Sequence, residues 1–198
     1  MVLVAVFLRV LLAPVSGQEV VKKEALGRVN AELGVGSIRG GQVQPFRCDY
    51  GQRASVVVFI TTDCPIANRY APELERLRTD FKDKGVKLTL AHVDPELSDE
   101  RAREHAAQFA LKAAVVVDRK HLLVRATGAT MTPEAVVVDA EGCIRYRGRI
   151  DDWFTEFGKS RRRPSQHDLR DAIQAVLEER PVKTSETKAV GCLMPKLP

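Results

Sequence analysis

The chain has 198 residues and a formal net charge of +5, with 29% charged and 44% hydrophobic residues. These ordinary globular proportions suit one domain with extensions and argue against a disordered chain. The run of Arg161, Arg162 and Arg163 lacks interleaved aromatic residues, which is typical of a solvated loop. We therefore predict one folded domain and no nucleic-acid partner.

The first 17 residues are typical of a secretory signal peptide. Residues 1–12 are apolar apart from Arg9, and small residues follow up to Gly17, where cleavage is predicted. The apolar run is short for a transmembrane helix, so we expect a membrane contact only if this segment stays uncleaved as an anchor. We predict export to the periplasm or the extracellular space, where disulfides can persist.

The predicted domain of residues 45–179 follows a lead-in of residues 18–44, in which residues 19–33 could hold a short helix. Cys48 stands before a turn between two short strands, and we expect it to be buried and structural. A predicted tail of residues 180–198 is extended and carries Cys192.

Residues 55–77 are the segment around which we expect the domain to be organised. The β-branched run of residues 56–60 indicates a strand buried on both faces. Cys64 follows a polar loop, and Pro65 begins a predicted helix that ends near Gly85. The helix start favours a thiolate, which makes Cys64 a candidate nucleophile; the alternative is a buried cysteine acting as a small hydrophobic residue.

Strands and helices alternate through the rest of the domain. We predict strands at residues 86–93, 113–117, 134–139 and 143–150, the last two as a hairpin, and helices at residues 98–110 and 166–179. Residues 151–165 are irregular but hold three aromatic side chains, so we expect them to pack. His92 and His105 belong to no ligand-spaced cluster, so we predict neither a metal nor another cofactor.

This order, with a cysteine after the first central strand and Thr132-Pro133 before the hairpin, resembles the thioredoxin-like superfamily. The resemblance rests on VVVFITTDCPIANRYAPELERL, MTPEAVVVDAEG and YRGRIDD. It extends to exported redoxins, which include the alkyl hydroperoxide reductase/thiol-specific antioxidant group and the membrane-tethered thioredoxin-like proteins of cytochrome maturation. It implies an α/β thioredoxin-like fold with a central mixed β-sheet flanked by helices. It also implies that the Thr132–Pro133 bond is cis, lies against Cys64 and adjoins the backbone that binds substrate.

Two departures from these families limit the chemistry that the resemblance implies. Ala67 replaces the second cysteine of the C-x-x-C motif, which excludes a dithiol cycle within that motif. Of the peroxiredoxin motif P-x-x-x-T-x-x-C, Thr61 keeps the threonine, whose hydroxyl would orient a peroxide and the thiolate, and Val57 replaces the proline. Arg149 and Arg125 are candidates by residue type for the arginine that a peroxidase places beside its thiolate.

Cys192 is the candidate resolving cysteine, because two-cysteine peroxiredoxins often carry one near the C-terminus. Cys64 would attack a peroxide or a disulfide, and Cys192 would then close a disulfide that an external reductant reopens. The alternatives are a static disulfide of Cys192 with Cys48 or Cys143, or a free thiol. Four cysteines allow three full pairings, and the sequence does not choose among them.

The resemblance favours a thiol-dependent oxidoreductase, either a thiol–disulfide oxidoreductase or a peroxiredoxin-like antioxidant. Its partners would be a protein thiol or disulfide, or a peroxide with an external reductant. The alternative is a non-catalytic thioredoxin-like binding or scaffold module, with the arginine run and residues 153–157 as its partner surface. A metallochaperone is disfavoured, because Asn68 stands where the C-x-x-x-C motif of those proteins has its second cysteine.

Overall fold

The computed structural model describes residues 25–197 and contains a central β-sheet flanked by helices. The strands are β1 (Gly27–Arg28), β2 (Val35–Ser37), β3 (Gln42–Val43), β4 (Ala54–Ile60), β5 (Val86–His92), β6 (Ala114–Val117), β7 (Met131–Thr132), β8 (Glu134–Asp139), β9 (Cys143–Gly148), β10 (Phe154–Glu156), β11 (Lys159–Ser160) and β12 (Cys192–Leu193). The helices are α1 (Pro65–Arg69), α2 (Ala71–Phe81), α3 (Asp99–Gln108), α4 (Leu122–Thr127) and α5 (Asp168–Leu177), with a 3₁₀ helix at Lys82–Lys84.

Eight strands form the mixed sheet, in the order β1-β9-β8-β4-β5-β6-β2-β3. Strand β4 lies parallel to β5 and antiparallel to β8, with Val57 opposite both Thr89 and Val136. Its residues are buried on both faces, as their continuous apolar pattern predicted. One face packs against α2 and α5, and the other contacts Phe46 and Leu123. The predicted α/β class, with a mixed sheet between helices, is confirmed.

The segment before β4 joins the sheet through its three short strands. The helix considered for residues 19–33 is wrong for the described residues 25–33, where Leu26 N and Val29 N donate to Ile144 O and Gly142 O. Cys48 lies in the loop between β3 and β4 and is half-buried rather than buried on a strand. The predicted signal peptide lies outside the described residues, and the domain boundary at residue 45 stays a prediction. Within residues 25–197, no helix is long and apolar enough to cross a membrane.

The single helix predicted after Cys64 is divided in two at Tyr70, which ends α1 and begins α2. Pro72 lies in the first turn of α2, where a missing N–H is tolerated because that position has no intrahelical partner. Gly85 follows the 3₁₀ helix with φ 81°, which confirms its predicted role as a cap. A Cβ at Gly85 would lie 2.5 Å from Gly51 O, so a larger residue does not fit there.

Residues 151–165 pack against the domain, as their aromatic content predicted. Asp151, Asp152 and Phe154 are buried, and β10 and β11 form a short antiparallel hairpin. Burial raises the pKa of Asp152, but hydrogen bonds from Ser165 and Gln166 outweigh that effect and lower the pKa to about 2. The segment is therefore held by buried polar contacts, by the buried Phe154 side chain and by one short hairpin.

The C-terminal tail is extended and lies along β9. Arg147 N donates to Ser185 O over 2.9 Å, and Thr187 N donates to Arg147 O over 3.1 Å. Val182, which precedes these hydrogen bonds, and Ala189, which follows them, are both buried, so apolar contacts hold the tail on either side. The tail then pairs through β12 with β7.

Candidate active site

Cys64 lies at the end of the polar loop that leaves the central strand β4. It is the N-cap of α1, and its Sγ accepts a hydrogen bond from Ala67 N at 3.5 Å. The side chain is 1% exposed. The predicted position of Cys64 at a helix start is confirmed, and an N–H group at that start points at the sulfur, where it stabilises negative charge.

The Thr132–Pro133 peptide bond is cis, as the resemblance implied, and lies against Cys64. Cys64 Sγ donates to Thr132 O over 3.1 Å. The hydroxyl oxygens of Thr61 and Thr132 are 3.5 Å apart, and both side chains are buried. The structure therefore brings together four of the predicted site residues, Cys64, Thr61, Thr132 and Pro133, from segments about 70 residues apart in sequence.

Glu134 holds the loop before the cis proline and was not identified from the sequence. Its Oε2 accepts hydrogen bonds from Thr130 N at 2.6 Å and from Met131 N at 3.0 Å. The carboxylate is buried beside β7, so these bonds replace its contacts with water. The only sequence signal for this role was a carboxylate directly after the Thr-Pro pair.

Cys192 lies directly opposite Thr132 in the antiparallel pairing of β12 with β7. Burial, followed by hydrogen bonding and charge interaction with Cys64, raises the pKa of Cys192 to about 12. Cys192 therefore stays a protonated thiol at neutral pH and can donate to a Cys64 thiolate. The close approach depends on Gly191, where a Cβ would lie 2.0 Å from Thr132 O.

The two remaining cysteines lie at the other end of the sheet. Cys143 N donates to Asp139 Oδ1 over 2.8 Å at the far end of β8 from Thr132. The six residues of β8 span about 17 Å. A disulfide needs Cα atoms within about 7 Å, so this fold does not allow one between Cys143 and Cys192. Cys48, in the loop before β4, lies at that same far end, where burial, followed by the nearby carboxylates of Asp139 and Glu141, raises the pKa of its thiol.

The arginine suggested for a peroxidase-like site is engaged elsewhere. Arg149 Nε pairs with Asp168 Oδ2 at 2.8 Å, and its guanidinium also donates to Gln166. Arg125 lies in the last turn of α4. The polar partners of Cys64 Sγ are Thr132 O, Ala67 N and the thiol of Cys192, so neither arginine is among them.

Asn68 connects the Cys64 loop to a buried pair of histidines. Its Nδ2 donates to Thr62 O over 2.8 Å, and its Oδ1 accepts from His105 Nε2 at 2.8 Å. The rings of His105 and His92 are 5.0 Å apart. Burial, and secondarily the neighbouring His105, lowers the pKa of His92 to about 3. Within the described part of the chain, no group of three or more His, Cys, Asp or Glu side chains is placed to hold a metal ion.

Comparison with known proteins supports the fold and the family. A family model described as Redoxin matches residues 46–156. Among curated proteins, no match to the sequence was found. A hypothetical protein from Sinorhizobium meliloti is 24% identical with a TM-score of 0.73, covering 87% of this chain and 95% of its own. An uncharacterized conserved protein from Geobacillus kaustophilus is 24% identical with a TM-score of 0.72, covering 86% and 93%.

Several more distant structures carry a functional description. A thiol:disulfide interchange protein DsbE from Chlorobium tepidum is 17% identical with a TM-score of 0.59. The match covers 78% of this chain and 98% of that one. At these identities the structural likeness establishes the shared thioredoxin-like fold, while the chemistry has to be argued from the residues around Cys64.

Proposed function

Since this chain belongs to the redoxin family, we propose that it is a thiol-dependent oxidoreductase with Cys64 as nucleophile and Cys192 as resolving cysteine. The observation that carries the proposal is the pairing of Cys192 with Thr132, directly beside Cys64. A cysteine held there supplies the second thiol that Ala67 does not provide within the C-x-x-C frame. The thioredoxin-like fold and the redoxin match support this chemistry.

The reaction begins with the Cys64 thiolate, stabilised by Ala67 N–H and by the thiol of Cys192. With a disulfide substrate, Cys64 forms a mixed disulfide and releases one substrate thiolate, and Cys192 then displaces the second. With a peroxide, the Cys64 thiolate attacks one oxygen, the O–O bond breaks, and Cys64 becomes a sulfenic acid while the other oxygen leaves as water or an alcohol. Cys192 then condenses with the sulfenic acid and releases water. Both routes end in a Cys64–Cys192 disulfide and two electrons given to the substrate.

Two features separate the substrate classes. Thr61 lies within the site and could orient a peroxide, as in the half-present peroxiredoxin motif. Arg149 is paired with Asp168 and Gln166, and so it does not supply the charge that a peroxidase uses beside its thiolate. We therefore favour disulfide exchange with protein thiols over peroxide reduction. An external reductant reopens the disulfide, and the apolar N-terminal segment supports export as part of the proposal.

The test is to map free and disulfide-bonded cysteines by alkylation and mass spectrometry, before and after adding one equivalent of peroxide or of a small aromatic disulfide. We expect a Cys64–Cys192 crosslink in the wild type. We expect Cys192→Ser to stop at a Cys64 mixed disulfide or sulfenic acid, the latter trapped by dimedone. The matched control Cys143→Ser should behave as the wild type. If Cys64 reacts with neither oxidant, and Cys64→Ser leaves the activity of the protein unchanged, the result would support a non-catalytic binding module instead.

A further inference from the structure

A positively charged aromatic surface lies beside the helix that Cys64 begins. It consists of Arg69, Trp153, Phe157, Arg162 and Arg163, and we call it the arginine–aromatic surface. Arg69 is the last residue of α1, and its guanidinium carbon lies 5.0 Å from the centroid of the Trp153 ring. This cation–π contact connects the active-site helix to the segment that carries β10 and β11.

Buried contacts hold this surface against the active-site helix. The Tyr70 ring makes edge contacts with the rings of Trp153 and Phe154, with centroids 5.6 Å apart in both pairs. Tyr70 Oη also donates to Asp151 Oδ1 over 2.5 Å. Because Tyr70 directly follows α1, these contacts fix the position of the hairpin relative to Cys64.

The charge of the surface is not neutralised within the described residues. Residues 157–167 contain four cations and no carboxylate. Two of the cations are paired: Lys159 with Glu156 at 2.7 Å and Arg161 with Asp152 at 3.1 Å. Arg162 and Arg163 are exposed and form no ion pair there, while Phe157 is 66% exposed. Exposed aromatic and unpaired guanidinium groups on one short segment suit a partner that presents both carboxylates and an apolar side chain.

We propose that the arginine–aromatic surface docks an acidic protein dithiol that reduces the Cys64–Cys192 disulfide. The inference rests on the proposed function and names the kind of partner that serves the site. The thiolate of the partner attacks Cys192, the more exposed sulfur, and Cys64 leaves as a thiolate. The second thiol of the partner then displaces Cys192, so the partner becomes a disulfide and both cysteines of this chain become thiols.

A protein partner fits better than an anionic membrane. The apolar part of the surface is limited to Phe157 and the half-exposed ring of Trp153, a small area for insertion into lipid. The surface also adjoins the helix of the nucleophile, where a docked protein brings its thiol to the disulfide. Complementary charge would mainly accelerate the encounter between the two proteins.

Trp153 is the only tryptophan in the chain, so its fluorescence reports docking directly. The probes are a glutamate-rich peptide with two cysteines and a leucine, and the same peptide with lysine in place of glutamate. Versions with serine in place of cysteine measure binding to the full chain without redox chemistry. Reduction of the purified Cys64–Cys192 disulfide is followed by stopped flow at low and high salt.

We expect the glutamate peptide to bind with a change in Trp153 fluorescence and to reduce the disulfide about tenfold faster than the lysine peptide at low salt. The preference should shrink at high salt, because ions screen exposed charges. Arg162→Glu combined with Arg163→Glu should abolish or reverse it. The control Arg39→Glu combined with Lys82→Glu changes the net charge equally at exposed sites outside this surface and should retain it.

Equal rates with both peptides, or the same loss of preference in the control variant, would overturn the proposal. A fluorescence response to phosphatidylglycerol vesicles but not to the serine form of the glutamate peptide would assign the surface to membranes instead. Failure of the Cys64–Cys192 disulfide to form is detected before any peptide is added. That outcome contradicts the proposed function, and the serine peptide still tests docking separately.

Discussion

At the scale of single residues, the site depends on one glycine in the tail. Gly191 has room only for hydrogen beside Thr132 O, because a Cβ would approach that backbone oxygen to 2.0 Å. Real Cβ atoms do not come so close to backbone, so any larger residue forces β12 away from β7. The distance between Cys192 and Cys64 is thus controlled by the residue before the cysteine.

Gly191→Ala should slow the formation of the Cys64–Cys192 disulfide by about tenfold, equivalent to about 1.4 kcal/mol of lost pairing. The rate is measured by quenched alkylation and mass spectrometry after mixing with a small disulfide. The control Gly27→Ala places its Cβ at an ordinary contact distance of 3.6 Å from Ile144 Cδ1 and should not change the rate. An unchanged rate in Gly191→Ala would contradict the role given to this contact.

At the scale of elements, the tail is held to β9 at a few points between its helix and its cysteine. The Thr187 hydroxyl is 2.6 Å from Tyr146 Oη and accepts from Arg149 N at 3.1 Å. Tyr146 Oη also donates to Arg149 O over 2.6 Å, so the tyrosine keeps one partner if Thr187 is changed. Removing the Thr187 hydroxyl would therefore weaken mainly the attachment of the tail to β9.

Thr187→Val keeps the side-chain shape and removes both hydroxyl contacts, which together are worth about 1–2 kcal/mol. We expect cleavage of the tail in limited proteolysis to become about tenfold faster, and closure of the Cys64–Cys192 disulfide to slow in parallel. Thr184→Val alters an exposed threonine of the same tail and serves as the control. If proteolysis is faster while disulfide closure is unchanged, the attachment at Thr187 does not position Cys192.

At the scale of the whole molecule, the buried histidines make stability depend on pH. His92 is fully buried, and the lowered pKa of about 3 keeps it neutral in the folded protein. In the unfolded chain a histidine binds a proton below about pH 6.5. Since the unfolded state then binds more protons than the native state, the free energy of unfolding falls as the pH decreases from about 6.5 towards 3. Burial lowers the pKa of His105 in the same direction.

His92→Leu should reduce the loss of stability between pH 7.5 and pH 5 by about 2 kcal/mol, the contribution of one such histidine over that range. The measurement is urea unfolding of the reduced protein at both pH values. His167→Leu removes an exposed histidine and should leave the pH dependence of the wild type in place. An equal pH dependence in wild type and His92→Leu would show that His92 is protonated in the folded state.

The features that depend on local pattern were predictable from the sequence. The apolar run of β4, the Cys64-Pro65 helix start and the glycine cap at Gly85 each follow from the preferences of neighbouring residues. Family resemblance added the cis bond before Pro133. The helix considered near residue 26 was wrong because Leu26 and Val29 find backbone partners in the β8–β9 hairpin, which local preference does not reveal.

By itself, the sequence determined the principal strands and helices from β4 onwards and the place of Cys64 at a helix start, because these depend on residues close together in the chain. Only the tertiary structure decided which cysteine meets Cys64, since Cys192 reaches Thr132 across 60 residues. It also brought the Glu134 carboxylate to the loop before Pro133 and paired Arg149 with Asp168. Such contacts depend on the long-range packing of β7, β9 and the tail, which the spacing of residues along the chain does not predict.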